Sequence, residues 1–128
     1  MDIERARESL KAAELCVEAG LVNSATSRAY YAMFQAAQVA LGSVGATRLS
    51  WSHPGLQAAF TAELIHRRKM YPATFGDFLS SGVTVRQAAD YGQSGVSRKI
   101  AERFVRRARI FVTTVEGRLA HGTDPDVT

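Results

Sequence analysis

The segment from Ser27 to Leu41 constrains the fold of this chain more than any other feature. Built as an α-helix, it is apolar over more than half of its circumference. A helix of this kind is normally central and packed on several sides. Its polar positions form one narrow stripe of Arg28, Tyr31, Gln35 and Gln38. Because buried polar groups without partners are costly, we expect these side chains to have partners on neighbouring helices.

Small side chains along this helix predict close packing around it. Ala29, Met33 and Ala36 lie within the apolar arc, and we expect all three to be almost fully buried. Alanine lets neighbouring backbones approach, whereas Tyr30 and Phe34 supply bulk. The segment is therefore predicted to be the central helix of the protein.

The composition limits the class of protein. The 128 residues suffice for one domain with a single hydrophobic core. A formal charge of +4 allows an acidic or nucleic-acid partner without requiring one. The lone Cys16 excludes an intrachain disulfide, and no segment approaches the roughly 18 uninterrupted apolar residues of a membrane span. Charged residues at the start of the chain argue against a signal peptide, so we expect a soluble, cytoplasmic protein without a membrane role.

Apolar periodicity predicts helices throughout, with no strand pattern. Their approximate bounds in chain order are Asp2–Glu18, Asn23–Leu41, Pro54–Arg68, Thr74–Tyr91 and Val96–Ala120. The fold class is therefore all-α, an up-and-down four-helix bundle with an extra kinked helical segment. Residues 1–120 are predicted to form a single domain, and residues 121–128 a disordered tail.

Details of the helix ends follow from residue chemistry. Asp2 and Asn23 are suitable N-caps for the first two helices, and either Ser94 or Ser97 suits the last. Gly82 would cost a helix interior about 1 kcal/mol, which predicts a kink or interruption near residues 80–82.

The first candidate catalytic residues lie in the linker over residues 42–54. Arg48 and His53 have four residues between them. An arginine could hold a phosphate while a histidine moves a proton, which would suit a phosphodiester site. The alternative is that His53 only begins a helix next to Pro54.

Two further features lie in the second half of the chain. Arg86 and Asp90 are spaced to pair on one helix face. The last helix carries a cationic arc of Arg98, Lys99, Arg103, Arg106 and Arg109, with Arg107 at its edge. This arc is either ordinary solvated surface or a phosphate-binding face, because arginine favours bidentate contacts with phosphate. We find no metal-ligand spacing, Gly-rich phosphate loop or nucleophile elbow, and we expect no metal or cofactor.

Four elements of the chain resemble the small bacterial and archaeal HEPN-domain proteins. They are the helix SRAYYAMFQAAQVAL, the turn SHPGL at residues 52–56, the element RQAADY at residues 86–91, and IAERFV at residues 100–105. All four occur in the order and at the spacing of that family, across nearly the whole chain.

The resemblance implies a helical bundle that commonly dimerises. It also implies a minimal nucleotidyltransferase partner, with which such proteins form toxin–antitoxin or related defence modules. Active members are metal-independent ribonucleases, which use an Arg followed after four to six residues by a His near the start of the last helix. Two protomers usually combine these motifs. Here the corresponding place carries Arg86, Asp90 and Tyr91 without a histidine, and aspartate cannot donate a proton as an imidazolium does.

Three functions follow as alternatives. The first is a HEPN subunit that pairs with a nucleotidyltransferase and presents a nucleotide- or RNA-binding surface, formed by Arg28, Tyr31, Arg98, Lys99, Arg103 and Arg106. The second is a divergent ribonuclease toxin that uses Arg86 with Asp90 and Tyr91, or recruits His53. The third is a helical dimer with no nucleic-acid role.

The same residues define a geometric expectation. Arg28 and Tyr31 should converge with Arg86, Asp90 and Tyr91 on one cleft, or else form a closed network that only sets helix register. We also expect a homodimer, because the resemblance implies one and because three aromatic residues lie in segments that a small bundle does not fully cover. These aromatic residues are Trp51, Phe75 and Phe78.

Overall fold

The chain folds into helices joined by short loops. The computed structural model describes the backbone of residues 3–122 and the side chains of residues 3–120. In chain order the helices are α1 (Ile3–Glu18), α2 (Val22–Ser43), α3 (His53–Ala59) continuing as a π-helical segment (Phe60–Arg67), α4 (Thr74–Tyr91) and α5 (Arg98–Gly122). No strand occurs in this part of the chain, which confirms the all-α class. None of the described helices is long and apolar enough to cross a membrane.

The central helix is α2, as predicted. It packs against α1, α4 and α5 and also contacts α3 and the π-helical segment. Ala29, Met33 and Ala36 have no exposed surface, which confirms their predicted burial. Since alanine places so little bulk between backbones, several helices approach α2 at once.

Short connections and apolar burial hold α1 and α5 against α2. Residues 19–21 join α1 to α2, so these two helices pack as an antiparallel hairpin. Ser9 of α1 donates a hydrogen bond of 2.7 Å to Gln35 Oε1, giving one residue of the polar stripe its partner. Arg109 Nε of α5 lies 2.8 Å from Glu14 Oε2. Such partly exposed ion pairs contribute at most about 1 kcal/mol each, so the buried apolar faces supply most of the stability.

An aromatic cluster fills the core between α4, α5 and the π-helical segment. The rings of Phe75 and Phe111 stack with centroids 4.5 Å apart, and Phe60 lies 5.5 Å from Phe111. Phe75 is buried, contrary to the expectation that its segment is incompletely covered. Phe78 is half-buried and lies under the guanidinium of Arg107, 5.1 Å away. These two residues therefore do not form an exposed apolar surface.

The sequence predicted a kink or interruption near residues 80–82, and no interruption occurs, because α4 is continuous from Thr74 to Tyr91. Gly82 is buried where α4 crosses α2, and a β-carbon there would lie 2.8 Å from Tyr30 Cδ1. Close packing against Tyr30 therefore requires the glycine. The irregular helix is instead the segment Phe60–Arg67, which is π-helical. Periodicity alone did not distinguish it from an α-helix.

The predicted N-cap of α2 is also wrong. The helix begins at Val22 with Leu21 in the cap position, so Asn23 lies within the first turn. Asn23 Oδ1 instead accepts a hydrogen bond of 2.9 Å from Val96 N, which ties the start of α2 to the loop before α5. A long-range contact has replaced the local cap.

The remaining helix ends are close to their predicted positions. Ser97 Oγ accepts a hydrogen bond of 3.2 Å from Ile100 N, so Ser97 is the cap of α5 among the two alternatives. α3 begins at His53, one residue before the predicted Pro54. α5 extends to Gly122, whereas Asp2 and residues 123–128, the greater part of the predicted tail, lie outside the described residues.

Candidate functional site

Two charged residues of α4 meet the polar stripe of α2. Arg86 Nη2 donates a hydrogen bond of 2.9 Å to Tyr31 Oη, and its guanidinium lies 5.0 Å from the centre of the Tyr31 ring. Arg86 Nε lies 3.2 Å from Asp90 Oδ2, which confirms the pairing predicted from their spacing. The two side chains are only 18% and 27% exposed, so water screens this pair less than an ordinary surface pair.

Asp90 has a second partner on α2. Ser27 Oγ donates a short hydrogen bond to the other carboxylate oxygen of Asp90. Ser27 and Tyr31 are one helical turn apart on α2, and Arg86 and Asp90 are one turn apart on α4. We call these four residues the α2–α4 polar cluster. Its contacts set the register of one helix on the other.

The cluster leaves part of the arginine unsatisfied. The contact between Arg86 Nε and Asp90 is an ion pair by distance, but its angle is not that of a hydrogen bond. The buried Nε–H therefore has no hydrogen-bond acceptor among the described residues. A buried donor without an acceptor normally costs stability, and an added acceptor would remove that cost.

A groove of about 630 Å³ opens beside the cluster. It is lined by Asn23, Ser24, Ser27, Arg28, Tyr31, Ala89 and Asp90. Arg28 is exposed and forms no ion pair within the described part of the chain. The groove thus combines a free guanidinium with hydroxyl groups, and it borders the ion pair of Arg86.

A histidine lies on the other side of the tyrosine pair. The hydroxyl of Tyr30 shares a short hydrogen bond with His53 Nδ1. The His53 ring also lies 5.1 Å from that of Phe34 and 5.3 Å from that of Tyr30. The guanidinium of Arg86 is 6.0 Å from the centre of the Tyr30 ring. Tyr30 therefore contacts both His53 and Arg86.

Burial and the charge of Arg86 shift the pKa values of His53 and Tyr30. Desolvation lowers the pKa of His53, and the nearby positive charge of Arg86 lowers it further. Burial raises the pKa of Tyr30 to about 12, although Arg86 opposes the increase. At neutral pH the imidazole is thus neutral and the phenol protonated. A neutral imidazole can accept a proton, but it does not act as an imidazolium donor.

The structure brings most of the predicted cleft residues together. Tyr31, Arg86 and Asp90 are in direct contact, and Arg28 lines the adjoining groove. Tyr91 does not join them, because it is 79% exposed and its side chain forms no hydrogen bond or ring contact with a described residue.

Arg48 and His53 do not act on one another. The guanidinium of Arg48 lies over Trp51, 4.5 Å from the centre of its ring, whereas His53 contacts Tyr30. His53 also begins α3, where Ser52 Oγ caps the helix by accepting a hydrogen bond of 3.0 Å from Gly55 N. The helix-start interpretation of His53 is therefore correct, and a contact with the tyrosine pair adds to it.

Sequence reasoning missed two members of the site. The apolar pattern indicates Tyr30 only as core bulk, and it gives no role to Ser27. The spacing of Ser27 and Tyr31 on α2 matches that of Arg86 and Asp90 on α4, which is a signal that both helices present paired groups. A phenol on a buried helix also needs a hydrogen-bond partner, which points to Tyr30.

The cationic arc of α5 is partly neutralised. Arg98 Nε lies 3.2 Å from Glu102 Oε2, and Arg109 pairs with Glu14 of α1. Three exposed cations form no ion pair with a described residue, namely Lys99, Arg103 and Arg106. We call these three the α5 basic stripe. No group of three or more His, Cys, Asp or Glu side chains in the described ranges is arranged to hold a metal ion.

The fold and the site together define a class of protein. It is the class of small all-helical proteins in which a polar cluster lies between the buried central helix and the next-to-last helix. The sequence profile of the HEPN domain matches residues 2–118. The chain belongs to the HEPN family, as the sequence resemblance predicted. It is also 32% identical over 114 residues to a UPF0332 protein of Thermotoga maritima, an alignment that covers 88% of this chain and 83% of the relative.

Proposed function

We propose that this HEPN protein binds RNA or a nucleotide, and that the groove beside the α2–α4 polar cluster holds a phosphate group. The observation that carries the proposal is Arg28, an exposed guanidinium that lines the groove and forms no ion pair with a described residue. Arg86 lies next to the groove, because it pairs with Asp90 of the lining. Phosphate oxygens are strong acceptors for arginine, and they would give Arg28 a partner.

The α5 basic stripe supports a longer ligand than a single phosphate. Lys99, Arg103 and Arg106 recur at helical spacing, so they share one face of α5. Their charges are not neutralised by any described residue. Free cations in such an arrangement bind a nucleic-acid backbone without reading its sequence. The stripe would therefore add affinity that depends on salt.

We also propose that the chain is the HEPN component of a two-protein module with a minimal nucleotidyltransferase, of the toxin–antitoxin or defence kind. This part rests on membership of the family. A neighbouring gene for a minimal nucleotidyltransferase is expected, and its product should elute with this chain as one complex in size-exclusion chromatography. Co-expressed proteins that elute separately would contradict the pairing.

RNA binding measured against salt concentration tests the groove. The variants are Arg28→Ala, Arg86→Ala and the control Arg67→Ala, each of which removes one positive charge. Arg67 is an exposed residue that pairs with Glu63 on the π-helical segment and does not line the groove. We expect Arg28→Ala to bind more weakly, with a salt slope reduced by about one phosphate contact and an unchanged melting temperature. Arg86→Ala should lose both affinity and stability.

Comparison with the control variant distinguishes a phosphate-binding groove from a closed structural network. If Arg28→Ala binds RNA as Arg67→Ala does, the groove does not hold phosphate. If Arg86→Ala in addition lowers only the melting temperature, the polar cluster serves solely to fix the register of α4 on α2. That outcome would favour the interpretation of the protein as a helical dimer without a nucleic-acid role.

A metal-independent ribonuclease is the second candidate, favoured by the contact between His53 and Tyr30 next to Arg86. Neutral His53 would accept the proton of a ribose 2′-hydroxyl as that oxygen attacks the phosphodiester. Arg86 would stabilise the negative charge that develops on the phosphoryl oxygens. The leaving 5′ oxygen would take its proton from the imidazolium so formed, or from water.

Cleavage of RNA in the presence of a chelator tests this candidate. We expect the wild type to produce cyclic-phosphate ends, and His53→Gln and Arg86→Lys to lose the activity. His66→Gln is the control, because His66 is exposed on the π-helical segment. Intact RNA with the wild type, or equal cleavage by His53→Gln, would reject a ribonuclease mechanism at this site.

A further inference from the structure

A second pocket lies at the other end of α2, and it shares no residue with the groove described above. It has a volume of about 550 Å³ and forms where the end of α2, the loop over residues 44–52 and Leu119 of α5 meet. Sites for small ligands in proteins commonly measure about 300–1,000 Å³. The pocket is therefore large enough for a nucleotide.

Two side chains of its lining, Arg48 and Trp51, lie one over the other. The guanidinium of Arg48 lies 4.5 Å from the centre of the Trp51 ring. Trp51 is half-buried, whereas Arg48 is exposed. A cation–π contact with an indole orders an arginine before a ligand arrives, and both planar groups can stack on a nucleobase.

The charge of the lining favours an anion. Among the described residues that line the pocket there is no Asp or Glu, and Arg48 is the only charged one. The larger groove between α1 and α5 differs, because its basic residues are mixed with four glutamates, Glu4, Glu8, Glu14 and Glu116. The anionic part of a ligand would therefore meet Arg48 without competition from a carboxylate of the described lining.

Polar side chains around the stack are available to a ligand. Ser43 Oγ already donates to Ala40 O at 2.6 Å. Gln38, Thr47 and Ser50 line the pocket and form no side-chain hydrogen bond within the described part of the chain. An amide and two hydroxyls can serve as donors and acceptors for the edge of a base or for a ribose.

We propose that the Arg48–Trp51 pocket binds a nucleoside monophosphate unit, with the base stacked on Arg48 and Trp51 and the phosphate attracted by the same guanidinium. This unit can be a free nucleotide or an unpaired nucleotide of a single-stranded RNA. The proposal does not depend on phosphate binding in the groove beside the α2–α4 polar cluster. It places a base-binding position where the proposed function assigned none.

Trp51 is the only tryptophan of the chain, so its fluorescence reports directly on this pocket. The probes are AMP, adenosine and inorganic phosphate. We expect saturable quenching by AMP, weaker quenching by adenosine, and no comparable competition by inorganic phosphate. Arg48→Ala should weaken AMP binding roughly tenfold, the usual order for the loss of one stacking partner. Arg67→Ala removes the same charge from another exposed arginine and should bind AMP as the wild type does.

Arg48→Lys provides the stricter comparison, because it keeps the charge and removes the plane. We expect it to bind AMP more weakly than the wild type while its melting temperature is unchanged. Equal AMP binding by Arg48→Lys would show attraction by charge alone and overturn the stacking proposal. Competition by inorganic phosphate as strong as that by AMP, or quenching that does not saturate, would overturn it as well.

A second titration distinguishes a free nucleotide from a nucleotide of single-stranded RNA as the ligand. A short single-stranded oligoadenylate that quenches at lower concentration than AMP would assign the site to RNA. A response to AMP without a response to the oligoadenylate would assign it to free nucleotide. Arg48→Ala is read by AMP quenching at Trp51, whereas Arg28→Ala is read by the salt dependence of RNA binding. Failure of the groove proposal and failure of this one are thus visible in different variants.

Discussion

Gly82 of α4 and Tyr30 of α2 approach so closely that a β-carbon on residue 82 would lie 2.8 Å from Tyr30 Cδ1. Helix α4 can cross α2 at this point only because Gly82 has no side chain. The hydroxyl of the same tyrosine bonds to His53, and its ring lies under Arg86. The packing contact therefore also positions the residues of the candidate site.

Replacing Gly82 with alanine should destabilise the protein. Helix propensity alone would favour alanine by about 1 kcal/mol. The clash with the Tyr30 ring outweighs this gain, and we expect a net loss of about 1–3 kcal/mol in the free energy of unfolding. Gly117→Ala is the matched control, since a β-carbon there has no atom within 4 Å, and it should be neutral or stabilising. A melting temperature of Gly82→Ala at or above that of the wild type would disagree with the close crossing.

Enlarging the alanines of the central helix should overpack the core. Ala29 and Ala36 are fully buried, so leucine at either position must displace a neighbouring helix. We expect each change to cost about 1–3 kcal/mol, measured by denaturant unfolding. Ala58→Leu on the exposed side of α3 is the control and should be nearly neutral. Equal midpoints for all three variants would mean that α2 does not occupy the centre of the bundle.

The stability of the protein should depend on pH through His53. Its pKa in the folded chain is lower than the ordinary value of 6.5, mainly through desolvation and secondarily through Arg86. Below about pH 6.5, residue His53 therefore binds more protons in the unfolded chain than in the folded chain. The contribution of neutral His53 is therefore fully present above about pH 6.5 and decreases as the pH falls toward the folded pKa.

The comparison with His53→Gln isolates this effect. Glutamine keeps a polar partner for the Tyr30 hydroxyl but does not titrate. The difference in melting temperature between the wild type and His53→Gln should become less favourable to the wild type as the pH is lowered from about 7 to about 5. The other two histidines contribute equally to both proteins and cancel in the difference. A difference that is independent of pH would contradict the lowered pKa.

We predict that the protein is at least a dimer in solution. Leu15, Leu21 and Ile110 each leave more than half of their surface exposed in the single chain, and association would cover such side chains. Analytical ultracentrifugation should detect a species of at least twice the 13.9 kDa of one chain. A single-chain mass that persists at high protein concentration would refute this.

Much of the architecture followed from local pattern. The apolar arc of residues 27–41 predicted the central helix, and the spacing of Arg86 and Asp90 predicted their ion pair. Both are properties of one helix, which the 3.6-residue period determines. The order of the four motifs likewise predicted the HEPN family.

The contacts between helices did not follow from pattern. A period shows which face of a helix is buried, but not which residue of another helix it meets. Thus Asn23 bonds to Val96 instead of capping α2, and Gly82 accommodates Tyr30 instead of breaking α4.

The sequence by itself determined that α2 is buried, that its polar stripe needs partners, and that α4 carries a paired arginine and aspartate. Only the tertiary structure decided three contacts between side chains. Tyr31 accepts a hydrogen bond from Arg86, Tyr30 shares one with His53, and Arg48 lies over the ring of Trp51. The physical reason is that these pairs join residues whose neighbourhood depends on how whole helices and loops pack. Packing brings together side chains far apart in the chain, and no spacing within one segment encodes that distance.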